Sequence, residues 1–204
     1  MIVTDITEAT KAKYKIFIDN EFAFVLYKGE LRTYKIKQGE ELSEQAYDAI
    51  MQEVLPKRAK LRCMNLLKSR EYTKEQMRIK LRQGFYPETV IDEAIDYVMS
   101  FGYIDDRRYV EQYIRYASQT KSKKQIEQDL LRKGVSKRDI SDGFVQAFED
   151  ETTDHELELI DRLIEKKRYD SQTATQEERQ KMVSFLYRKG FSLDKIYKAV
   201  GRMD

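Results

Sequence analysis

Residues 73–85, TKEQMRIKLRQGF, share their pattern with two later stretches, SKKQIEQDLLRKGV at 122–135 and QEERQKMVSFLYRKGF at 176–191. In each stretch two apolar side chains stand four residues apart, which places them on one face of a helix. These pairs are Met77 and Leu81, Ile126 and Leu130, and Met182 and Leu186. Each stretch ends with a glycine and an apolar residue, and glycine is the usual residue where a helix stops in a left-handed conformation. The sequence therefore predicts three helices with equivalent stops at Gly84, Gly134 and Gly190.

Each of these helices is expected to have a helix on either side. The preceding segments are 57–70, 105–118 and 154–167, and after each glycine apolar residues stand six and ten positions on. Those residues are Val90 and Ala94, Ile140 and Phe144, and Ile196 and Val200. Ser136 and Ser192 are expected N-caps, and Pro87 suits a first helical turn. We predict three tandem three-helix repeats at 56–104, 105–153 and 154–204, forming an elongated curved array.

Two segments depart from this repeat. Residues 11–36 alternate apolar and polar side chains around the turns Asp19–Glu21 and Lys28–Glu30, which predicts a hairpin or a three-stranded ribbon. A helix is expected over 40–55, so residues 1–55 form an N-terminal β-ribbon with a connecting helix. The third repeat carries a polar insertion at 168–176, which is expected to be a longer loop.

Composition agrees with a mainly α-helical protein. The 204 residues include only eight glycines and two prolines, and their 38 basic and 36 acidic side chains nearly cancel. Bulk charge therefore indicates no partner. The charge is nevertheless uneven, because residues 57–82 carry ten basic and only two acidic side chains.

Basic residues supply the candidate binding surface. Lys74, Arg78 and Arg82 are spaced four apart, so they are expected to line one stripe of a helix. Further basic groups recur beside the glycine stops, and they either form solvated helix faces or meet phosphates or an acidic protein groove. The full set of candidates is Arg58, Arg62, Arg70, Lys74, Arg78, Arg82, Lys123, Lys124, Arg132, Lys133, Arg188 and Lys189.

Other reactive residue types have structural interpretations. Cys63 is expected to be a buried thiol, His155 a solvated first-turn residue, and the pair Asp105–Asp106 a helix cap. Tyr109, Tyr113 and Tyr116 could stack nucleic-acid bases beside arginines, but core packing is the preferred interpretation.

No catalytic function is expected. The sequence lacks a nucleotide-binding loop, a Ser/His/Asp set and a Cys/His cluster that could bind zinc. We therefore predict neither an enzyme nor a bound metal or cofactor. The sequence has no signal peptide and no apolar stretch of membrane-spanning length, so we expect a cytoplasmic protein that does not enter the membrane. We also expect a monomer.

The motifs resemble the RecX family of bacterial modulators of the RecA recombinase. The similar stretches are 66–85, 102–117 with 124–135, and 185–196, and the ribbon at 14–24 is similar to the extension of longer members. The resemblance implies a non-enzymatic protein that binds RecA and its filament on single-stranded DNA. There it would restrain ATP turnover, strand exchange and coprotease activity in DNA repair, recombination and the SOS response. Arg70 and the pair Arg188–Lys189 match basic positions of the family.

Two other classes of function are left open by the residues. Three-helix units with basic faces also describe helix-turn-helix proteins that bind DNA directly. An inert scaffold or an unrelated helical adaptor would bind neither DNA nor RecA.

Overall fold

The computed structural model describes residues 1–149 and 154–201. The chain divides into two units, Met1–Asp105 and Asp106–Asp204. The first unit holds the N-terminal sheet and one three-helix repeat, and the second holds two further repeats. The predicted repeat bounds stay a prediction, and the boundary at 153/154 adjoins residues outside the described ones.

A three-stranded antiparallel sheet begins the first unit. Its strands are β1 (Val3–Thr10), β2 (Lys13–Ile18) and β3 (Glu21–Tyr27), hydrogen-bonded in the order β1-β2-β3. The predicted hairpin is confirmed, with Ile16 opposite Phe24 and Tyr14 opposite Leu26. Ile16, Phe24 and Leu26 are fully buried in the core that the sheet shares with the first repeat. The ribbon therefore has the partner that its small size requires.

The segment after β3 is not a strand. Lys28–Thr33 forms helix α1, so the sheet has three strands as predicted but no strand follows the expected turn at Lys28–Glu30. The helix is favoured because the Glu30 carboxylate accepts a hydrogen bond of 2.7 Å from the Tyr27 amide at its start. The third strand is instead β1, which lies before the alternating segment 11–36 and carries the β-branched residues Thr4 and Thr7.

Helix α2 (Glu44–Ala49) runs through a π-helical turn (Ile50–Val54) into helix α3 (Leu55–Leu67). The two separate helices predicted here are thus one continuous element. Pro56 explains the π-helical turn, since it has no amide hydrogen and its ring would clash with the carbonyl four residues earlier. The Leu55 amide bonds to the Ile50 carbonyl, five residues back, which widens the helix at this point.

The three repeats have the predicted order of helices. The first continues from α3 with α4 (Lys74–Arg82) and α5 (Glu88–Ser100). The second consists of α6 (Asp106–Ala117), α7 (Lys123–Arg132) and α8 (Lys137–Ala147). The third consists of α9 (His155–Lys166), α10 (Gln176–Arg188) and α11 (Leu193–Val200).

The paired apolar positions form the cores of these repeats. All six apolar residues paired in the three repeated stretches are buried, and so are five of the six that follow the glycines. Phe144 is the exception, since it is only partly buried against the second-repeat core. The helix spacing in the sequence therefore identifies most of the core.

Helix α4, α7 and α10 each begin with a capping box, a reciprocal pair of hydrogen bonds between the cap and the third helical residue. These pairs are Thr73 with Gln76, Ser122 with Gln125, and Thr175 with Glu178. The predicted cap at Ser136 is confirmed, because its hydroxyl accepts a bond from the Asp139 amide. Ser192 holds the cap position without such a side-chain bond, and Pro87 stands at the cap position of α5.

The glycine stops differ between repeats. Gly134 and Gly190 have φ angles of 81° and 92°, so the left-handed stop is confirmed there. In the first repeat the left-handed residue is Phe85, with φ at 61°, and the prediction for Gly84 is wrong in this respect. Gly84 is required for another reason, since a Cβ there would lie 2.9 Å from the Tyr86 ring.

Candidate functional site

The predicted basic stripe of α4 is an ion-pair network. Arg78 Nη2 lies 2.6 Å from an Asp92 carboxylate oxygen, and Arg82 Nε lies 2.7 Å from one of Glu88. These hydrogen bonds raise the pKa of both guanidinium groups, and the bond from Arg82 lowers the pKa of Glu88. Two of the three stripe residues therefore join α4 to α5 and are not simply presented to a partner. Lys74 is half-buried at the start of α4.

The excess of positive charge in 57–82 is thus partly compensated by tertiary contacts. Six carboxylates follow between Glu88 and Asp106, beyond the segment in which the charge was counted. Lys60 pairs with one of them, Glu93, at 2.7 Å. Charge counted along a segment overstates the surface charge when the next helix packs against that segment with opposite charges.

The remaining first-unit candidates have separate positions. Arg58 pairs with Glu30 and donates a 3.0 Å hydrogen bond to the Val25 carbonyl, so it attaches the sheet to α3. Arg70 lies over the Tyr72 ring at 4.3 Å, and Arg62 is exposed on α3. Of these, Arg58 has a clear structural role.

At the C-terminal end of α7, the basic pair Arg132 and Lys133 lies beside a carboxylate and two tyrosine rings. Arg132 pairs with Asp129, and Lys133 lies over the Tyr113 ring at 5.4 Å. Asp129 also accepts bonds from Lys121 at 2.6 Å and from the Tyr113 hydroxyl at 2.8 Å. These donors lower the pKa of Asp129 to about 2. The site is therefore a compact network in which the carboxylate stays ionised.

The tyrosines of α6 are divided between core and surface. Tyr109 and Tyr113 stack with ring centroids 6.2 Å apart and pack against the second-repeat core, as predicted. Tyr116 is 77 % exposed, so the core interpretation is wrong for this residue. It lies on the solvent side of a helix whose buried residues are Val110, Ile114 and Ala117.

Two of the predicted basic groups meet within the second unit. The Ser122 hydroxyl, at the start of α7, donates a 2.7 Å hydrogen bond to the Lys189 carbonyl, at the end of α10. A Cβ added at Gly190 would lie 2.8 Å from Ser122 Oγ and 3.4 Å from Lys124 Cβ, so the two segments are in close contact. We call this contact, formed by residues 122–124 and 188–190, the α7–α10 junction.

Ion pairs around Lys195 support the junction from α11. Its ammonium lies 2.8 Å from Asp154 and 2.9 Å from Glu156. Glu156 also accepts a 2.8 Å bond from the Lys123 amide. The third repeat is thereby bonded to the first turn of α7 through a second set of contacts.

The junction presents cations that have no carboxylate partner among the described residues. Lys123, Lys124 and Arg188 are exposed, and Lys189 is half-buried over the Phe185 ring at 5.4 Å. The Lys123 ammonium lies 4.9 Å from the Phe144 ring, which holds it near the surface. About 14 Å of helix separates this group from Arg132 and Lys133, given a rise of 1.5 Å per residue. This group is the strongest candidate for an anionic partner.

Sequence reasoning missed the residues that build this junction. Ser122, Lys195 and Glu156 were not candidates, although the spacing of Ser122 and Gln125 is a capping-box signal. No comparable signal exists for the bond to Lys189, which is 67 residues away along the chain.

The residues with structural interpretations are placed as follows. Cys63 is fully buried, and burial raises the pKa of its thiol to about 11. Asp106 lies in the first turn of α6. His155 stands in the first turn of α9 as expected, but its ring packs against Phe148 with centroids 4.5 Å apart and is half-buried, so the expectation of a solvated side chain is wrong.

Residues 1–149 and 154–201 contain no group of three or more His, Cys, Asp or Glu residues arranged to hold a metal ion. Over the same ranges, no helix combines the length and the apolar character needed to cross a membrane.

Family models match all three repeats. They describe the first, second and third three-helix domains of RecX, and they match residues 59–97, 105–143 and 154–200. The matched ranges follow one another in the order of the observed repeats.

Whole-chain relatives agree with these matches. Regulatory protein RecX of Caldanaerobacter subterraneus subsp. tengcongensis is 29 % identical over 202 residues, covering 98 % of each chain. Regulatory protein RecX of Limosilactobacillus reuteri is 30 % identical over 186 residues, covering 89 % of this chain and 69 % of the relative.

Solved structures extend the similarity to the fold. A crystal structure of regulatory protein RecX superposes with a TM-score of 0.65 at 26 % identity, covering 98 % of both chains. The structure of RecX from Lactobacillus salivarius gives a TM-score of 0.64 at 27 % identity, covering 74 % of this chain and 97 % of that chain. Because models of all three domains match in order and the relatives align along nearly the whole chain, the protein belongs to the RecX family of regulatory proteins.

Proposed function

We propose that this protein binds the RecA recombinase and its filament on single-stranded DNA and lowers RecA activity. The affected reactions are ATP hydrolysis, strand exchange and coprotease activity, in DNA repair and the SOS response. Membership of a family of regulatory proteins supports a regulatory role. In this proposal the protein acts by binding alone, without a cofactor or a catalytic step of its own.

The observation that carries the proposal is the exposed positive charge at the α7–α10 junction. Lys123 and Lys124 lie on the first turn of α7 and have no carboxylate partner among the described residues. Their position is held by the bond from Ser122 to Lys189, so a partner meets a surface that is already ordered. Exposed cations on a rigid element suit the anionic surface of a nucleoprotein filament.

The first repeat is a less suitable contact surface. Arg78 and Arg82 are engaged by Glu75, Glu88 and Asp92. A partner would have to displace these carboxylates before it could use the arginines. Charge reversal of Arg78 would also place like charges between α4 and α5, so its effect on inhibition would be mixed with an effect on stability.

The test is a titration of the protein into RecA assembled on single-stranded DNA, with ATP hydrolysis as the readout. The wild-type protein is expected to lower turnover at stoichiometric amounts. Lys123→Gln with Lys124→Gln is expected to weaken inhibition about tenfold, which corresponds to about 1.4 kcal/mol of binding free energy. Glutamine removes the positive charge, stays polar and adds no repulsion with Glu156.

Lys137→Gln with Lys198→Gln is the matched control, since both lysines are exposed on other helices of the same unit. Inhibition should survive in this variant. Unchanged ATP turnover with an excess of wild-type protein would refute the proposal as a whole. Equal loss of inhibition in the two double variants would refute the role of the junction.

Direct DNA binding is the alternative, and the same exposed lysines favour it. Titration of naked duplex DNA at several salt concentrations distinguishes the two functions. Tight binding without RecA, with affinity falling steeply as salt rises, would support the alternative.

The monomeric state and the cytoplasmic location stay predictions.

A further inference from the structure

The loop between α9 and α10 lines a cleft in the third repeat. Residues 167–175 connect these helices, whereas residues 118–122 suffice for the equivalent connection in the second repeat. The cleft has a volume of about 500 Å³, within the usual range of ligand pockets of about 300 to 1,000 Å³. Its cationic lining consists of Lys167, Arg168, Lys181 and Arg188.

The cations of the cleft are not equally available. Lys181 pairs with Glu177 at 2.6 Å, and the Lys167 ammonium lies 5.1 Å from the Phe185 ring. Arg168 and Arg188 are both exposed, and neither has a carboxylate partner in the described part of the chain. In this respect they differ from Arg78 and Arg82 of α4, which are paired with carboxylates. Two guanidinium groups therefore remain able to receive an anion.

The two carboxylates of the cleft do not supply that anion. Asp170 accepts bonds from the Gln172 amide at 3.0 Å and from the Thr173 hydroxyl at 2.9 Å. Glu178 accepts bonds from the Thr175 amide at 2.8 Å and from its hydroxyl at 2.9 Å, and the amide bond lowers the pKa of Glu178. Both carboxylates keep their charge, but their bonds hold the loop in shape, and neither forms an ion pair with Arg168 or Arg188 in the described part of the chain.

The backbone at Arg168 gives a second indication. This residue has φ at 53°, the left-handed region, directly after the end of α9. Glycine is the usual residue at such a position because a side chain there is strained. Here it is the stop of α9, since the Tyr169 amide bonds to the Ile164 carbonyl at 3.3 Å. An arginine occupies this stop in place of a glycine, and it lies on the cleft wall.

We propose that this cleft binds the phosphate of a nucleotide through Arg168 and Arg188. Arginine suits phosphate because its planar fork of N–H donors matches two phosphate oxygens. The cleft is larger than a phosphate alone requires, and its apolar lining of Ala174, Met182 and Phe185 suits the attached nucleoside. The nucleotide can be free or a unit of single-stranded DNA. The site shares Arg188 with the α7–α10 junction, but it involves neither RecA nor Lys123 and Lys124.

Isothermal titration calorimetry of the full chain with three probes tests this site. The probes are inorganic phosphate, thymidine 5′-monophosphate and a ten-residue oligothymidylate. Binding of the monophosphate identifies a free-nucleotide site, and binding of the oligonucleotide alone identifies a site for single-stranded DNA. Either result supports the proposal if Arg168→Gln and Arg188→Gln each weaken binding about tenfold, the effect of losing one charge-assisted contact.

Arg179→Gln is the control. Arg179 is nine residues before Arg188 on α10, so it lies on the opposite side of that helix, and it does not line the cleft. Arg168→Gly separates binding from folding, because it relieves the left-handed strain. It should raise the melting temperature by a few degrees and still weaken binding like Arg168→Gln.

No binding of any probe would overturn the proposal, as would equal weakening by Arg179→Gln. Weaker binding that appears only in variants with a lowered melting temperature would overturn it too. The titration contains no RecA, so its result is independent of the ATP-hydrolysis test.

Discussion

Replacing Gly190 by alanine tests the contact that joins the second and third repeats. Gly190 has φ at 92°, and an added Cβ would lie 2.8 Å from Ser122 Oγ. Left-handed strain costs about 1 kcal/mol. When the Ser122 side chain is displaced, its hydrogen bond to the Lys189 carbonyl is lost, which costs about 1 kcal/mol. The capping bond that it accepts from the Gln125 amide is lost as well, which costs about another 1 kcal/mol. We expect Gly190→Ala to lower the free energy of unfolding by about 3 kcal/mol.

Gly102 provides the matched control. It also has a left-handed φ, at 68°, but an added Cβ there has no atom within 4 Å. Gly102→Ala therefore has only the strain and should cost about 1 kcal/mol. Urea titration followed by far-ultraviolet circular dichroism measures both variants.

A double-mutant cycle with Ser122→Ala isolates the contact. Ser122→Ala alone should cost about 2 kcal/mol, the sum of its two bonds. Once the hydroxyl is gone, the new Cβ adds only strain, so the double variant should cost about 3 kcal/mol and not the additive 5 kcal/mol. Equal costs for Gly190→Ala and Gly102→Ala, or an additive double variant, would refute this account of the junction.

The remaining predictions concern single side chains. The folded-state pKa of Asp129, about 2 against an ordinary 3.8, adds stability above pH 4 that is lost as the pH falls towards 2. The stability lost on acidification is about 1 kcal/mol after solvent screening, and the variant Asp129→Asn should not show this loss. Equal pH profiles for the variant and the wild type would contradict the prediction. Cys63 should resist alkylation by iodoacetamide at pH 8 in the folded protein and react in urea, since it is buried with its pKa at about 11. Rapid labelling without urea would show that α3 opens readily. Leu130→Ala should cost about 2 to 5 kcal/mol in urea titrations because the side chain is fully buried, and a cost below 1 kcal/mol would place it outside the core.

Much of the fold could be read from local patterns. Helical spacing identified the buried pairs such as Ile126 and Leu130, because side chains four residues apart always share a helix face. Phe85 shows a limit of such reasoning. The left-handed residue stands four positions after the buried leucine in every repeat, and in the first repeat Phe85 occupies that position because Gly84 lies one residue earlier in the register.

The candidate site was less predictable than the fold. The residue types and spacing correctly marked Lys123, Lys124 and Arg188 as basic positions near helix ends. They could not show that Arg78 is neutralised, since its partner Asp92 belongs to another helix. The charge of a surface depends on which helices pack together, and a count along the chain contains no such information.

The sequence by itself determined the RecX repeats, their order and their helix ends, because spacing, caps and glycine stops act within a few residues of each other. Only the tertiary structure decided which charges remain for a partner. In the tertiary structure the arginines of α4 pair with carboxylates of α5. Ser122 likewise bonds to Lys189, which is 67 residues away along the chain. The physical reason is range: helix formation depends on near neighbours in the chain, whereas electrostatic and hydrogen-bond partners depend on distances in space.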